Sequence, residues 1–99
     1  MANKDIIRTD NVQVREMELA TGEATGWHFH TQVNDYFVCL EGAVRVETKT
    51  PDNAFVLEPG QRFQVPTGQI HRVINQTCRA AKYLLVQGVG SYDFCPAEP

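Results

Sequence analysis

With 99 residues, 42% of them hydrophobic and 21% charged, and a net charge of −3, the chain has room for one modest core and no second catalytic domain. Its nine lysines and arginines are scattered and form no basic stripe, so nucleic acid is not an expected partner. No run approaches the ~20 apolar residues of a membrane helix, and Met1 to Asp10 lacks the apolar segment of a secretory signal, so a cytoplasmic location with no membrane partner is expected.

The chain then reads as short β-type runs separated by Gly, Pro, Asn and Asp, with almost no helical period. The first expected strand is Val12 to Leu19. Its apolar positions switch parity from Val12 and Val14 to Met17 and Leu19, which in a period-two element predicts a bulge near Arg15 and Glu16. After the turn at Thr21-Gly22 come strands at Trp27 to Thr31 and Tyr36 to Leu40. The turn at Glu41-Gly42 leads into Ala43 to Thr48, and Pro51-Asp52-Asn53 leads into Asn53 to Leu57. Beyond Pro59-Gly60 lies Arg62 to Val65, and beyond Pro66-Thr67-Gly68 lie Ile70 to Asn75 and Ala80 to Val86. The tail from Gly88 to Pro99 has no regular pattern and is expected outside the barrel, either loose or packed across a dimer interface. Eight such strands predict an all-β protein, a double-sheet jelly roll over residues 1–99 as one domain.

Cys39, Cys78 and Cys95 are odd in number and lack CxxC spacing, so free thiols are expected. A domain this small commonly gains stability by association, and a homodimer is the default expectation.

The chemistry concentrates in three histidines. His28 and His30 are one residue apart in a β-type run, so both rings point to one face, and His71 lies on a separate strand. Imidazoles with a nearby acidic group supply the borderline nitrogen and oxygen donors that suit one divalent transition metal, iron, zinc, manganese or nickel, and do not suit calcium or magnesium.

Gly22-Glu-Ala-Thr-Gly-Trp-His28-Phe-His30-Thr-Gln-Val-Asn-Asp35-Tyr-Phe-Val-Cys-Leu-Glu-Gly42 resembles the first cupin motif, G-x5-H-x-H-x4-E-x6-G, departing from it only at the acidic position. Gly60-Gln-Arg-Phe-Gln-Val-Pro66-Thr-Gly68-Gln-Ile-His71-Arg-Val-Ile-Asn75 resembles the second, G-x5-P-x-G-x2-H-x3-N, at every specified position. The resemblance implies a jelly-roll barrel, or double-stranded β-helix, with a metal held inside by His28, His30, Asp35 and His71. Aspartate is one methylene shorter than the motif's glutamate, so Asp35 either ligates directly or orients a ligand or water from behind the ligand sphere.

Alternation from Asp35 and His71 places Phe37, Cys39 and Val73 on the inner face, and Tyr83 is a further candidate for the pocket wall, so a mostly apolar cavity is expected. For Cys39, core packing is favoured over ligation. Arg45 and Arg72 fall on outward parity and anchor no substrate. An open metal position in such a cavity implies a metal-dependent enzyme of dioxygenase, isomerase or decarboxylase type acting on a small metabolite. The alternative is a non-catalytic module that binds a metabolite or metal, and the fold alone does not separate them.

Overall fold

The computed structural model describes residues 1–98. Ten strands form two five-stranded antiparallel sheets, and no helix is present among the described residues, so none is long and apolar enough to cross a membrane. The first sheet has the order β1 (Ala2–Arg8), β2 (Val12–Leu19), β9 (Ala81–Gly88), β4 (Asn34–Glu41), β7 (Arg62–Val65). The second has the order β10 (Cys95–Pro96), β3 (His28–Phe29), β8 (His71–Ile74), β5 (Val44–Thr48), β6 (Asn53–Leu57).

The inner faces follow strict alternation. In β9, Ala81, Tyr83, Leu85 and Gln87 are buried; in β5, Val44, Val46 and Thr48; in β4, Asp35, Phe37 and Cys39; in β8, His71 and Val73. Leu19, Phe37, Val44, Val46, Val73 and Tyr83 are all at most 1% exposed and form the centre of the core. Each such side chain removed from water contributes about 1.5–3 kcal/mol before the entropy of ordering is subtracted.

Polarity along these inner rows is graded. β2, β4, β5, β8 and β9 are apolar at one end and carry a polar inward residue at the other, and antiparallel pairing brings those polar ends together. Across the first sheet the register aligns Gln13 with Gln87 and Gln87 with Asp35. Across the second it aligns Thr48 with His71 and His71 with His28. One end of the barrel is therefore a packed hydrophobic plug, and the other presents two facing polar rows.

The same gradient corrects the expected bulge near Arg15 and Glu16. β2 pairs with β9 in unbroken register from Val12↔Gly88 to Leu19↔Ala81, and the irregularity lies in β1, between Asp5 and Ile7. The apolar parity switched because Gln13 and Arg15 occupy inward positions, where they line cavities rather than the apolar plug.

Two further elements depart from expectation. The polar Ala2–Arg8 segment forms β1, an exposed edge strand held by backbone pairing to β2. The tail is not loose: Cys95 and Pro96 pair with Phe29 and His28 as β10. The remaining motif residues act structurally. Gly42 has φ +70° and lies against Ala81, and an added Cβ would sit 2.9 Å from the Ala80 carbonyl oxygen, so only glycine fits there. Asn75, fully buried, donates from Nδ2 to the Leu19 and Arg79 carbonyls at 3.0 and 2.7 Å and closes the turn after β8.

Candidate metal centre

His28, His30, Asp35 and His71 are all buried, and their candidate ligand atoms lie within 4.8 Å of one another. Two sheets contribute: β3 and the residue following it bring His28 and His30, β8 brings His71, and β4 brings Asp35 from the opposite wall.

Each imidazole is held in one orientation by a main-chain carbonyl. Nδ1–H of His28 donates to Gly26 at 2.7 Å, that of His71 to Gln69 at 2.8 Å, and that of His30 to Asp93 at 2.6 Å. A carbonyl can only accept, so Nδ1 carries the proton in all three rings and Nε2 is the nitrogen left to coordinate. For His28 and His71 the carbonyl is two residues earlier in the chain. His30 depends on the C-terminal tail.

Asp35 reaches the same point. Its Oδ2 lies 2.8 Å from His71 Nε2 and 3.1 Å from His30 Nε2, while Oδ1 accepts from Gln87 Nε2 at 2.9 Å. Donors at ~2.0–2.2 Å from an ion and at right angles to each other are about 3 Å apart, so this spacing fits one coordination sphere. The shorter aspartate side chain thus brings Oδ2 within 3.1 Å of two candidate ligand nitrogens. An Nε2 lone pair that faces a carboxylate oxygen at such distances also requires a positive centre between them, either a proton or a cation. Three imidazoles and a carboxylate gathered in this way have the donor chemistry of a divalent transition-metal site and could hold such an ion.

Electrostatics keep His28 and Asp35 ready to coordinate. Burial lowers His28 to a pKa of about 4, so its ring is neutral at physiological pH. For His30, burial pulls down but the hydrogen bond and charge of Asp35 outweigh it, and the net shift is upward. For Asp35, burial works against ionisation, and the hydrogen bonds from His30 and His71 more than reverse it, which holds the carboxyl well below its ordinary range.

His28, His30 and Asp35 of this cluster line a cavity of about 250 Å³. Phe37, Val73 and Tyr83 line it, together with Met17 and Leu85. Cys39 does not: it lies in the apolar core, its Sγ 3.8 and 3.7 Å from the Glu41 and Gly42 carbonyls, and burial raises its pKa so that it stays a thiol. Arg45 and Arg72 face outward, both donating to Glu47 at 2.9 and 2.5 Å, with Arg72 over the Trp27 ring.

Several cavity residues were not foreseen. Gln87 lies one step beyond the predicted end of its strand. Arg15 was hidden by the expected bulge. Tyr92, Asp93 and Phe94 belong to the tail that looked patternless, yet Phe94 stacks on His28 with centroids 4.4 Å apart and Tyr92 lies 5.5 Å from His30. Thr31 fixes this segment through its backbone N–H, which donates to Asp93 Oδ1 at 2.9 Å, and through its hydroxyl, which donates to Oδ2. The two-residue spacing of Tyr92 and Phe94 was the available signal. Truncation after Gly90 is expected to weaken metal binding about 10- to 100-fold, since it removes the carbonyl that orients His30. Competition against a chromogenic chelator measures this, and unchanged affinity would refute the role given to the tail.

Fold and site together define a double-stranded β-helix protein with a buried histidine and carboxylate cluster at the open end of the barrel. The cupin domain family matches residues 15–87, and the chain belongs to it. A mannose-1-phosphate guanylyltransferase from Sinorhizobium fredii (strain NBRC 101917 / NGR234) is 27% identical over 70 residues. The match covers 71% of this chain but only 13% of that protein's length. Among solved structures, an uncharacterized conserved protein with a double-stranded beta-helix domain from Klebsiella pneumoniae subsp. pneumoniae MGH 78578 superposes with a TM-score of 0.86 at 18% identity, covering 99% of this chain and 84% of that one. An oxalate oxidase in complex with the substrate analogue glycolate superposes with a TM-score of 0.84 at 16% identity, covering 97% of this chain and 54% of that one. At these identities the structural likeness establishes the fold.

Proposed function

We propose that this cupin domain is a metal-dependent enzyme, of oxygenase, isomerase or decarboxylase type, acting on a small metabolite in the barrel cavity. The supporting observation is the convergence of the Nε2 atoms of three carbonyl-locked imidazoles and the Asp35 carboxylate beside a half-open, mixed-polarity pocket that His28, His30 and Asp35 line. A purely structural cluster needs no adjoining space; this one faces a cavity sized for a small organic molecule.

His28, His30, Asp35 and His71 would hold iron, zinc, manganese or nickel, and such an ion supplies Lewis acidity to a substrate oxygen at an open coordination position. The protein's own residues do the rest. Gln87 fixes the Asp35 carboxylate from behind, and Phe37 and Val73 bound the cavity with apolar surface. Tyr92 and Phe94 shield the rings from bulk water. The glycolate complex of the oxalate oxidase shows a small oxygen-rich acid bound by a protein of the same fold, which is the kind of ligand this pocket suits. A cytoplasmic homodimer is part of the proposal, supported by the free thiols and by the small size of the domain.

The test is reconstitution of the purified chain with each of the four ions, followed by assays of oxygen uptake, carbon dioxide release and isomerisation across a panel of small oxo and hydroxy acids. Turnover that disappears in His71→Ala is the expected result. Stoichiometric metal binding without turnover of any panel member would favour the non-catalytic binding module instead.

A further inference from the structure

Two polar side chains of the cavity have hydrogen-bonding capacity or charge that the protein leaves unmet. Tyr83 is 1% exposed, lines the cavity, and makes no hydrogen bond through its hydroxyl among the described residues. Among the described residues no buried side-chain polar atom is sealed away from both solvent and partners, so this hydroxyl opens to the cavity. Buried phenols almost always find a partner in the protein. Burial also pushes the Tyr83 phenol well above its ordinary pKa, so it remains a donor.

Arg15 is the second. It lines the same cavity with its guanidinium 5.4 Å from the Tyr92 ring centroid, and it forms no ion pair among the described residues. Its hydrogen bonds within the protein go to neutral amides: Nε and Nη2 donate to Gln13 Oε1 at 3.0 and 3.2 Å when that amide turns its oxygen to the guanidinium, and Nη2 lies 3.4 Å from Gln87 Oε1. The charge is therefore met by no carboxylate, and Nη1 has no partner among the described residues. Asp5, opposite Arg15 in the β1–β2 ladder, is directed to Arg8 at 3.6 Å. An unpaired guanidinium beside a half-apolar cavity is an anion receptor.

The register joins the two. Arg15 pairs with Leu85, and Tyr83 is the preceding inward residue of β9, so the two are diagonal inward neighbours, roughly 7–8 Å apart at their Cα atoms and within reach of a common group. We propose that Arg15 and Tyr83 together receive a carboxylate of a small organic acid, whose second oxygen function reaches the point between His28, His30, Asp35 and His71. One guanidinium matches the single charge and planar fork of a carboxylate. A phosphate dianion would carry a second charge that the single guanidinium leaves unmatched at this end of the cavity. The inference rests on the metal-site reading proposed above and adds the substrate class and the residues that select it.

The experiment uses isothermal titration of the full chain, zinc-loaded and metal-free, with malonate, succinate and glutarate as probes and glutaramide as the uncharged control. At least one diacid is expected to bind. Arg15→Met weakens it about 10- to 100-fold and Tyr83→Phe about 5- to 20-fold. In the double variant the two losses fall short of their product, because both donors act on one group. Glutaramide behaves alike with wild type and Arg15→Met. Matching thermal unfolding midpoints show that the variants are folded, and Arg15→Lys gives a second folded variant that retains the charge but loses the fork.

Diacid binding that depends on zinc but is indifferent to Arg15 and Tyr83 would overturn the carboxylate pocket and leave the metal reading standing. Binding that depends on both residues and is unaffected by zinc would do the reverse. Absence of binding by every diacid overturns the proposal.

Discussion

His71→Ala is expected to lower the affinity for zinc or manganese by roughly 1000-fold or more, exceeding the 10- to 100-fold cost of losing an outer partner. His71 contributes a ring whose Nδ1 is locked to Gln69 and whose Nε2 lies 2.8 Å from Asp35. Its removal leaves two imidazoles on one strand end and a carboxylate across the cavity. Cys39→Ser is the matched control. The thiol lies in the core and outside the cavity lining, so metal content stays at wild-type levels. Metal analysis after exhaustive dialysis reads both variants, and full retention by His71→Ala would remove the assigned site.

Phe37→Ala is expected to destabilise the metal-free protein by about 3–5 kcal/mol in urea unfolding. Phe37 is 1% exposed and stands where the apolar plug meets the polar rows, with its ring 5.8 Å from that of Tyr83 and 6.2 Å from that of His71. Truncation opens a void that the rigid sheets cannot close, and it also removes the wall that keeps His71 and Tyr83 apart. Phe37→Leu, which keeps most of the volume, costs less than about 1.5 kcal/mol. Working without metal matters, because a bound ion would stabilise the folded state by mass action and mask the difference. A loss under about 1 kcal/mol for Phe37→Ala would mean that the plug does not carry the load assigned to it.

Much of the fold was legible because period-two alternation and turn residues act locally. The limits of β2, β6 and β7 agree with those read from sequence, and His28, His30, Asp35 and His71 emerged as a set from their spacing and the family resemblance. What escaped notice shares one physical cause. Gln13, Arg15 and Gln87 are polar residues on inward positions, and a rule that equates inward with apolar assigns them to a bulge or beyond a strand end. They violate the pattern because they line cavities. The tail escaped for another reason: the Asp93 carbonyl acts through the backbone, so no side-chain pattern reveals it, and its pairing with His30 spans 63 residues of sequence.

The central claim is that three imidazoles and one carboxylate from two sheets surround a single ion. X-ray absorption at the metal edge of the zinc-loaded chain tests it most directly. The predicted spectrum has about three imidazole nitrogens and at least one oxygen at ~2.0–2.2 Å with no sulfur shell. Scattering from a thiolate sulfur, or from no more than one imidazole, would contradict it.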